Sequence, residues 1–222
     1  MVLLQCERLF LVYNQAEDAK KSILFLNAHA FFLYECLEKF TMKTALLLID
    51  IQNDYFPTGK MELVGSERAS LNAKKILEKF RRDKNLIIHI QHVSTREGST
   101  FFVPDSWGVE IHEHVKPTDS EIVISKNYPN SFRETALLAS LLAQDIEHLV
   151  ILGMMTHMCV DATTRAAKDL GFSIEVIGDA CATKSLAVNA VSVDAKDVQT
   201  AFLSALNYFY SAVLTTEEYL NA

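Results

Sequence analysis

Cysteine is scarce. The 222 residues hold four, at positions 6, 36, 159 and 181, and no C-x-x-C pair. That excludes a disulfide framework and makes a reduced, cytoplasmic setting the expectation. Positive charge is outweighed: 21 Lys and Arg stand against 28 Asp and Glu, for a net charge of −7. Nucleic acid and an anionic membrane surface are therefore not expected as partners. A membrane-length apolar run is also missing. The best stretch, Ser22–Leu37, has 16 residues and carries Asn27, His29 and Glu35, against the roughly 20 apolar residues a spanning helix needs. Glycine (7) and proline (4) are few, and all of them lie after residue 42.

The Gly- and Pro-free stretch 1–41 still holds five phenylalanines, Phe10, Phe25, Phe31, Phe32 and Phe40. It lacks the basic start and cleavage site of a signal peptide. It reads either as a helical extension packed on the domain or a neighbour, or as lying upstream of a native start at Met42. The late start is favoured, because Met42-Lys43-Thr44 leads straight into a strand. The expected organisation is an extension, 1–41, followed by one domain, 42–222.

Within 42–222, apolar runs alternate with helical periodicity. Thr44–Asp50, Leu86–Gln91, Glu121–Ser125, His148–Gly153, Phe172–Ile177 and Ala212–Leu214 read as strands. Ser66–Arg82 carries Ala69, Ala73, Ile76, Leu77 and Phe80 at helical spacing. Ser131–Glu134 and Thr215–Glu218 read as capping boxes, the first opening a helix to about Gln144. Thr156–Leu170 reads as a helix stopped by Gly171, and Val188–Tyr208 mainly as helix. Arg96–Pro117 has no period and reads as a long functional loop. Strands this apolar are buried on both faces, so the class is α/β with a parallel sheet.

In such a sheet, ligands bind past the carboxyl ends of the strands, where strand order reverses. Asp50 ends the first strand, Lys126 the third, and Cys159 lies in the first turn after the fourth. A helix N-terminus and a nearby cation lower a thiol pKa, and the thiolate is the nucleophile. Asp50 is placed to take the thiol proton, and Lys126 to stabilise both charges. Taken singly, each has a plainer reading: a buried core thiol, a strand-end turn carboxylate, a solvated lysine.

LLLIDIQNDYF (46–56), SKNYPNSF (125–132) and ILGMMTHMCVDATTRAAKDLGF (151–172) resemble the isochorismatase-like cysteine hydrolases, the superfamily of nicotinamidases and N-carbamoylsarcosine amidases. The resemblance runs from about Thr44 to Leu214. It implies a three-layer α/β/α, Rossmann-like fold with a six-stranded parallel sheet in the order 3-2-1-4-5-6. It implies an Asp50–Lys126–Cys159 triad and a cis peptide between Met154 and Met155, with the Met155 and Cys159 N–H groups as oxyanion hole. The implied activity is cysteine-dependent hydrolysis of a small amide, ureido or lactam C–N bond through a thioester, without cofactor. It also implies a homo-oligomer, dimer or tetramer. The alternatives are a nicotinamidase-type amidase and a catalytically silent binding or scaffold protein. A thiol redox role for Cys159 lacks an evident resolving cysteine.

Nicotinamidases carry an Asp-x-His metal pair after the second strand. Here that place reads His92-Val93-Ser94, which lacks the carboxylate and its partner histidine. His89 with His92, and His112 with His114, could suggest a metal, but no third ligand is evident. They read as structural or solvated, and no metal is expected. Phe56, Trp107 and His157 are the candidate pocket residues, and Cys181 reads as small core.

Overall fold

The structure is a computed structural model and describes residues 42–222. The readings for 1–41 lie outside the described residues. Among them no helix is long and apolar enough to cross a membrane.

The strand β1 (Thr44–Ile49) lies in the middle of the sheet, paired in parallel with β2 (Leu86–His92) on one side and β4 (His148–Met154) on the other. β3 (Ile122–Lys126) adds beyond β2; β5 (Ser173–Ala182) and β8 (Ala212–Leu214) add beyond β4. The order is β3-β2-β1-β4-β5-β8, all parallel, so the last strand takes the sixth place that the resemblance implies. The reversal point falls between β1 and β4. Ala45 to Ile49 are essentially solvent-free because helices cover both faces.

Helix α1 (Ser66–Asp83) buries Ala69, Ala73, Ile76, Leu77 and Phe80, the stripe expected from its spacing. Lys84 in the left-handed region ends it, its N–H returning to Phe80 and Arg81 carbonyls. α1 packs with the short C-terminal helix α5 (Thr216–Asn221), while α3 (Asp161–Asp169) packs with α4 (Ala195–Phe209). The Thr215–Glu218 capping box forms as expected, with both reciprocal bonds present.

Two helix starts differ from expectation. Ser131 is no N-cap. Its hydroxyl lies 2.8 Å from Thr163 Oγ1, and Glu134 sits at φ 56°, a left-handed value that no third helical residue can hold. Helix α2 therefore begins only at Leu137 and ends at Leu142. The region from Val188 is not yet helical either. Strands β6 (Leu186–Val188) and β7 (Val191–Val193) form an antiparallel hairpin. Its two turn residues, Asn189 and Ala190, are both left-handed, as a two-residue hairpin turn of this hand requires. Only after Asp194 does α4 start.

Candidate active site

The site forms where β1, β2, β3 and β4 end together. Asp50 follows β1 directly and sits at φ 50°, a left-handed value that aspartate tolerates better than most residues. Its N–H donates to the Ile90 carbonyl, 3.0 Å away, so the turn is anchored on β2. Gly153 is what lets β4 come this close to β1. A Cβ there would lie 2.0 Å from the Ile49 carbonyl oxygen, and the residue holds φ 131°.

Lys126, the last residue of β3, donates from Nζ to Asp50 Oδ2 at 2.7 Å, and neither side chain is reached by solvent. Burial opposes the charge on Lys126, but Asp50 and Cys159 outweigh it and hold the ammonium above its ordinary pKa. Asp50 Oδ1 is buried with no hydrogen-bond partner of its own. Cys159, 5% exposed, sits in a π-helical turn, Thr156–Val160, that leads into α3. Burial first, and the Asp50 carboxylate second, push its thiol up, against the pull of Lys126. The expectation of a lowered thiol pKa is thus corrected: the helix end and the cation do not offset burial beside a carboxylate, and the resting group is a thiol.

The Met154–Met155 peptide is cis. Met155, not Thr156, occupies the N-cap position of the turn. Thr156 instead points inward, its hydroxyl 2.7 Å from Gln199 Oε1. The Met155 and Cys159 N–H groups lie at this helix's N-terminal end, where the first N–H groups lack helical carbonyl partners.

The rest of the Asp-x-Gln-Asn-Asp stretch holds the loop after β2. Gln52 Nε2 donates to the His92 and Val109 carbonyls at 2.9 and 2.7 Å, and its Oε1 accepts from the His92 N–H at 2.8 Å. Asn53 donates to the Trp107 carbonyl at 2.9 Å. Asp54 accepts from the Phe102 and Lys60 N–H groups at 2.6 and 3.0 Å. Gly108 sits against it so closely that a Cβ would fall 2.2 Å from the carboxylate.

A cavity of about 560 Å³ opens over the ends of β2 and β3, its wall including His92, Ser94, Arg96, Phe101, Asn127 and Tyr128. None of the three expected pocket residues is on this wall. Phe56 is buried and stacks on His112 at 3.5 Å between ring centres. Trp107 is 55% exposed on a 3₁₀ turn. His157 bonds Thr183 and meets the Phe202 ring edge-on. Cys181 lies in the core with its thiol pushed up to about 12 by burial.

Sequence reasoning missed two residues here. His92, read as structural or solvated, accepts at Nδ1 from Lys126 Nζ, 3.1 Å away. The signal was strand register, since His92 and Lys126 are directly opposite across β2 and β3. Tyr55 is buried beside the site, its phenol pushed well up by burial and by Cys159, Asp50 and Asp54. Asp50, His92 and Cys159 bring one ligand-type atom each within 4.8 Å of one another. Lys126 already donates to the first two, so the cation these groups face is its ammonium. His112 and His114 meet edge-on at 4.5 Å, and His114 Nδ1 lies 2.8 Å from the Ser70 hydroxyl.

Known proteins share this architecture. Residues 44–218 match the model of the isochorismatase domain. An uncharacterised isochorismatase family protein of Bacillus subtilis, YddQ, is 48% identical over 81% of this chain and 99% of its own length. Streptothricin hydrolase of Streptomyces noursei is 32% identical over 63% of this chain and 49% of its own length. The crystal structure of an isochorismatase hydrolase from Oleispira antarctica superposes with a TM-score of 0.77, at 45% identity over 81% of this chain and 97% of that one. With its sheet order, its strand-end Asp, Lys and Cys, and a domain match running nearly from β1 to the end of α5, the chain belongs to the isochorismatase family.

Proposed function

We propose that the protein hydrolyses a C–N bond of a small amide, ureido compound or lactam, with Cys159 as nucleophile. The observation that carries this reading is the convergence of Lys126 and a thiol on one buried carboxylate, whose second oxygen is left without a partner. The resting thiol is protonated, so activation is a proton transfer to Asp50 at the moment of attack. The sulfur adds to the carbonyl carbon, and the oxygen that gains the electron pair is held by the Met155 and Cys159 N–H groups. Collapse breaks the C–N bond, and Asp50 returns its proton to the leaving nitrogen. A water then gives Asp50 a proton and adds to the thioester carbonyl. The acid leaves and the proton returns to the sulfur. Lys126 keeps Asp50 oriented and offsets the negative charge as it moves between oxygen and sulfur. The similarity to streptothricin hydrolase supports a hydrolytic reading.

The test is a panel of small amides, ureido acids and lactams, read by release of ammonia or amine and by intact mass of a trapped thioester. Turnover that disappears in Cys159→Ala, with an acyl adduct on Cys159, is expected. Binding of panel members with neither turnover nor adduct would establish the silent binding protein instead.

A further inference from the structure

The cavity over β2 and β3 is walled by residues outside the proposed triad, yet one wall residue reaches into it. His92 lines the cavity and also bonds Lys126. An ammonium has three protons and no lone pair, so each of its hydrogen bonds is a donation. Lys126 donates to Asp50 Oδ2 at 2.7 Å and to His92 Nδ1 at 3.1 Å.

The donation to Nδ1 fixes the state of the imidazole. Nδ1 accepts and therefore carries a lone pair. A protonated ring would set two cations against each other, so the ring is neutral with its proton on Nε2. Burial and Lys126 both act to keep it neutral, against Asp50. Among the described residues Nε2 has no partner, and it is not one of the buried side-chain atoms cut off from both protein partners and solvent. The ring is held from behind. Gln52 clamps the His92 backbone at N–H and carbonyl together, and the Phe102 ring lies 5.8 Å away. His92 thus has one nitrogen on the triad lysine and the other free on a residue that forms the cavity wall.

We propose that His92 is a positioning and specificity residue: Nδ1 holds the Lys126 ammonium on Asp50, and the Nε2–H donates to an acceptor oxygen or nitrogen of the substrate in the cavity. The second half of this statement rests on the hydrolase reading; the first is a property of the resting protein. An acceptor on Nε2–H makes Nδ1 more basic and tightens its hold on Lys126, because linked hydrogen bonds polarise one another. Substrates with an acceptor next to the scissile carbonyl are then favoured over plain alkyl amides of the same size.

The test has two arms on the full-length protein. In the first, ring ¹⁵N shifts of His92, assigned against His92→Phe, are followed from about pH 6 to about pH 8, where a free histidine titrates. A neutral Nε2–H ring across the range is expected, with that lock lost in Lys126→Met. A ring protonated on Nδ1, or cationic at neutral pH, overturns the proposal. In the second arm, variants are assayed on an amide from the panel, with melting curves as a check on folding. His92→Asn puts an amide oxygen near the place of Nδ1 but cannot reach Nε2. Its KM rises roughly tenfold, the worth of one hydrogen bond, while kcat stays within about threefold. His92→Gln reaches the Nε2 position and loses the Nδ1 acceptor, so kcat falls and KM holds. Equal effects of the two substitutions on both constants overturn the division of roles. A locked ring in a protein that turns over no amide would remove the hydrolase reading and leave the Lys126 lock standing.

Discussion

Lys126 Nζ lies 2.7 Å from the Asp50 carboxylate, and both side chains are wholly shielded from water. A pair so buried penalises the loss of one member more than the loss of both, because the survivor is left charged in a poor solvent. Lys126→Met and Asp50→Leu are each expected to cost about 3–5 kcal/mol of folding stability. The double variant should recover a large part of that, with no catalysis. Urea unfolding of the four proteins measures the coupling; strictly additive costs would show that the two charges do not stabilise one another.

The Cys159 thiol is pushed up from its ordinary value of 9.0 by burial and then by Asp50. A raised thiol pKa means the protonated form persists at neutral pH. Alkylation of Cys159 by iodoacetamide should therefore be slow at pH 7 and still be rising beyond about pH 9. Asp50→Asn removes the charge that disfavours the thiolate. In the folded variant, alkylation should speed up at neutral pH even as turnover vanishes. A parent profile that levels off below about pH 8 would mean a preformed thiolate and a different activation step.

Gly153→Ala tests the closeness of β1 and β4. The added carbon would sit 2.0 Å from a backbone oxygen, at a φ of 131° that alanine resists. Neither strand can move aside, since each is paired on both edges. A loss of roughly 3 kcal/mol or more is expected, read as a large drop in melting temperature or in folded yield. A variant melting within a few degrees of the parent would show that the sheet can open at this point.

At the other end of β3, Glu121 accepts from Arg81 Nε and Nη2 at 2.6 and 2.8 Å and lies 3.0 Å from His89 Nε2. Burial alone would raise its pKa, but bonds from Arg81, the Thr118 N–H and His89 bring it down to about 2. A folded pKa below the ordinary 4.5 stabilises the protein above that value, and the stabilisation drains away as pH falls from about 4.5 towards about 2. The melting temperature should fall across that window. Glu121→Gln should flatten the fall while lowering the plateau at neutral pH by several degrees, on the order of 1 kcal/mol for a domain this size. An unchanged acid limb would remove Glu121 as its cause.

The sheet was legible because parallel strands buried on both faces leave unbroken apolar runs, and α1 because its stripe repeats at helical spacing. The triad candidates were legible because Asp50, Lys126 and Cys159 sit at strand ends, where reactive groups in such folds collect. What stayed hidden depended on partners distant in sequence. Ser131 looked like a cap until Thr163 was found to hold it. Asn189-Ala190 looked helical because neither residue announces a left-handed turn as glycine would. His92 looked idle until β2 and β3 were placed in register. The thiol was misjudged because local sequence shows the helix end but not the depth of burial.

The residues that follow β1 grip the loop between β2 and β3 by its backbone. Gln52 takes the Val109 carbonyl, Asn53 the Trp107 carbonyl, Asp54 the Phe102 N–H, and the Asn53 and His112 N–H groups pair with the Glu110 and Ile51 carbonyls. Such anchors do not register the side chains of the loop's exposed residues, whereas Gly108 must stay small and Phe102, Val109, His112 and Val115 are buried. Loop and chemistry are therefore separable inheritances. New recognition surfaces can be tried on the exposed residues of 93–117 while Asp50, Lys126 and Cys159 stay in place, so the site can be re-aimed without being rebuilt.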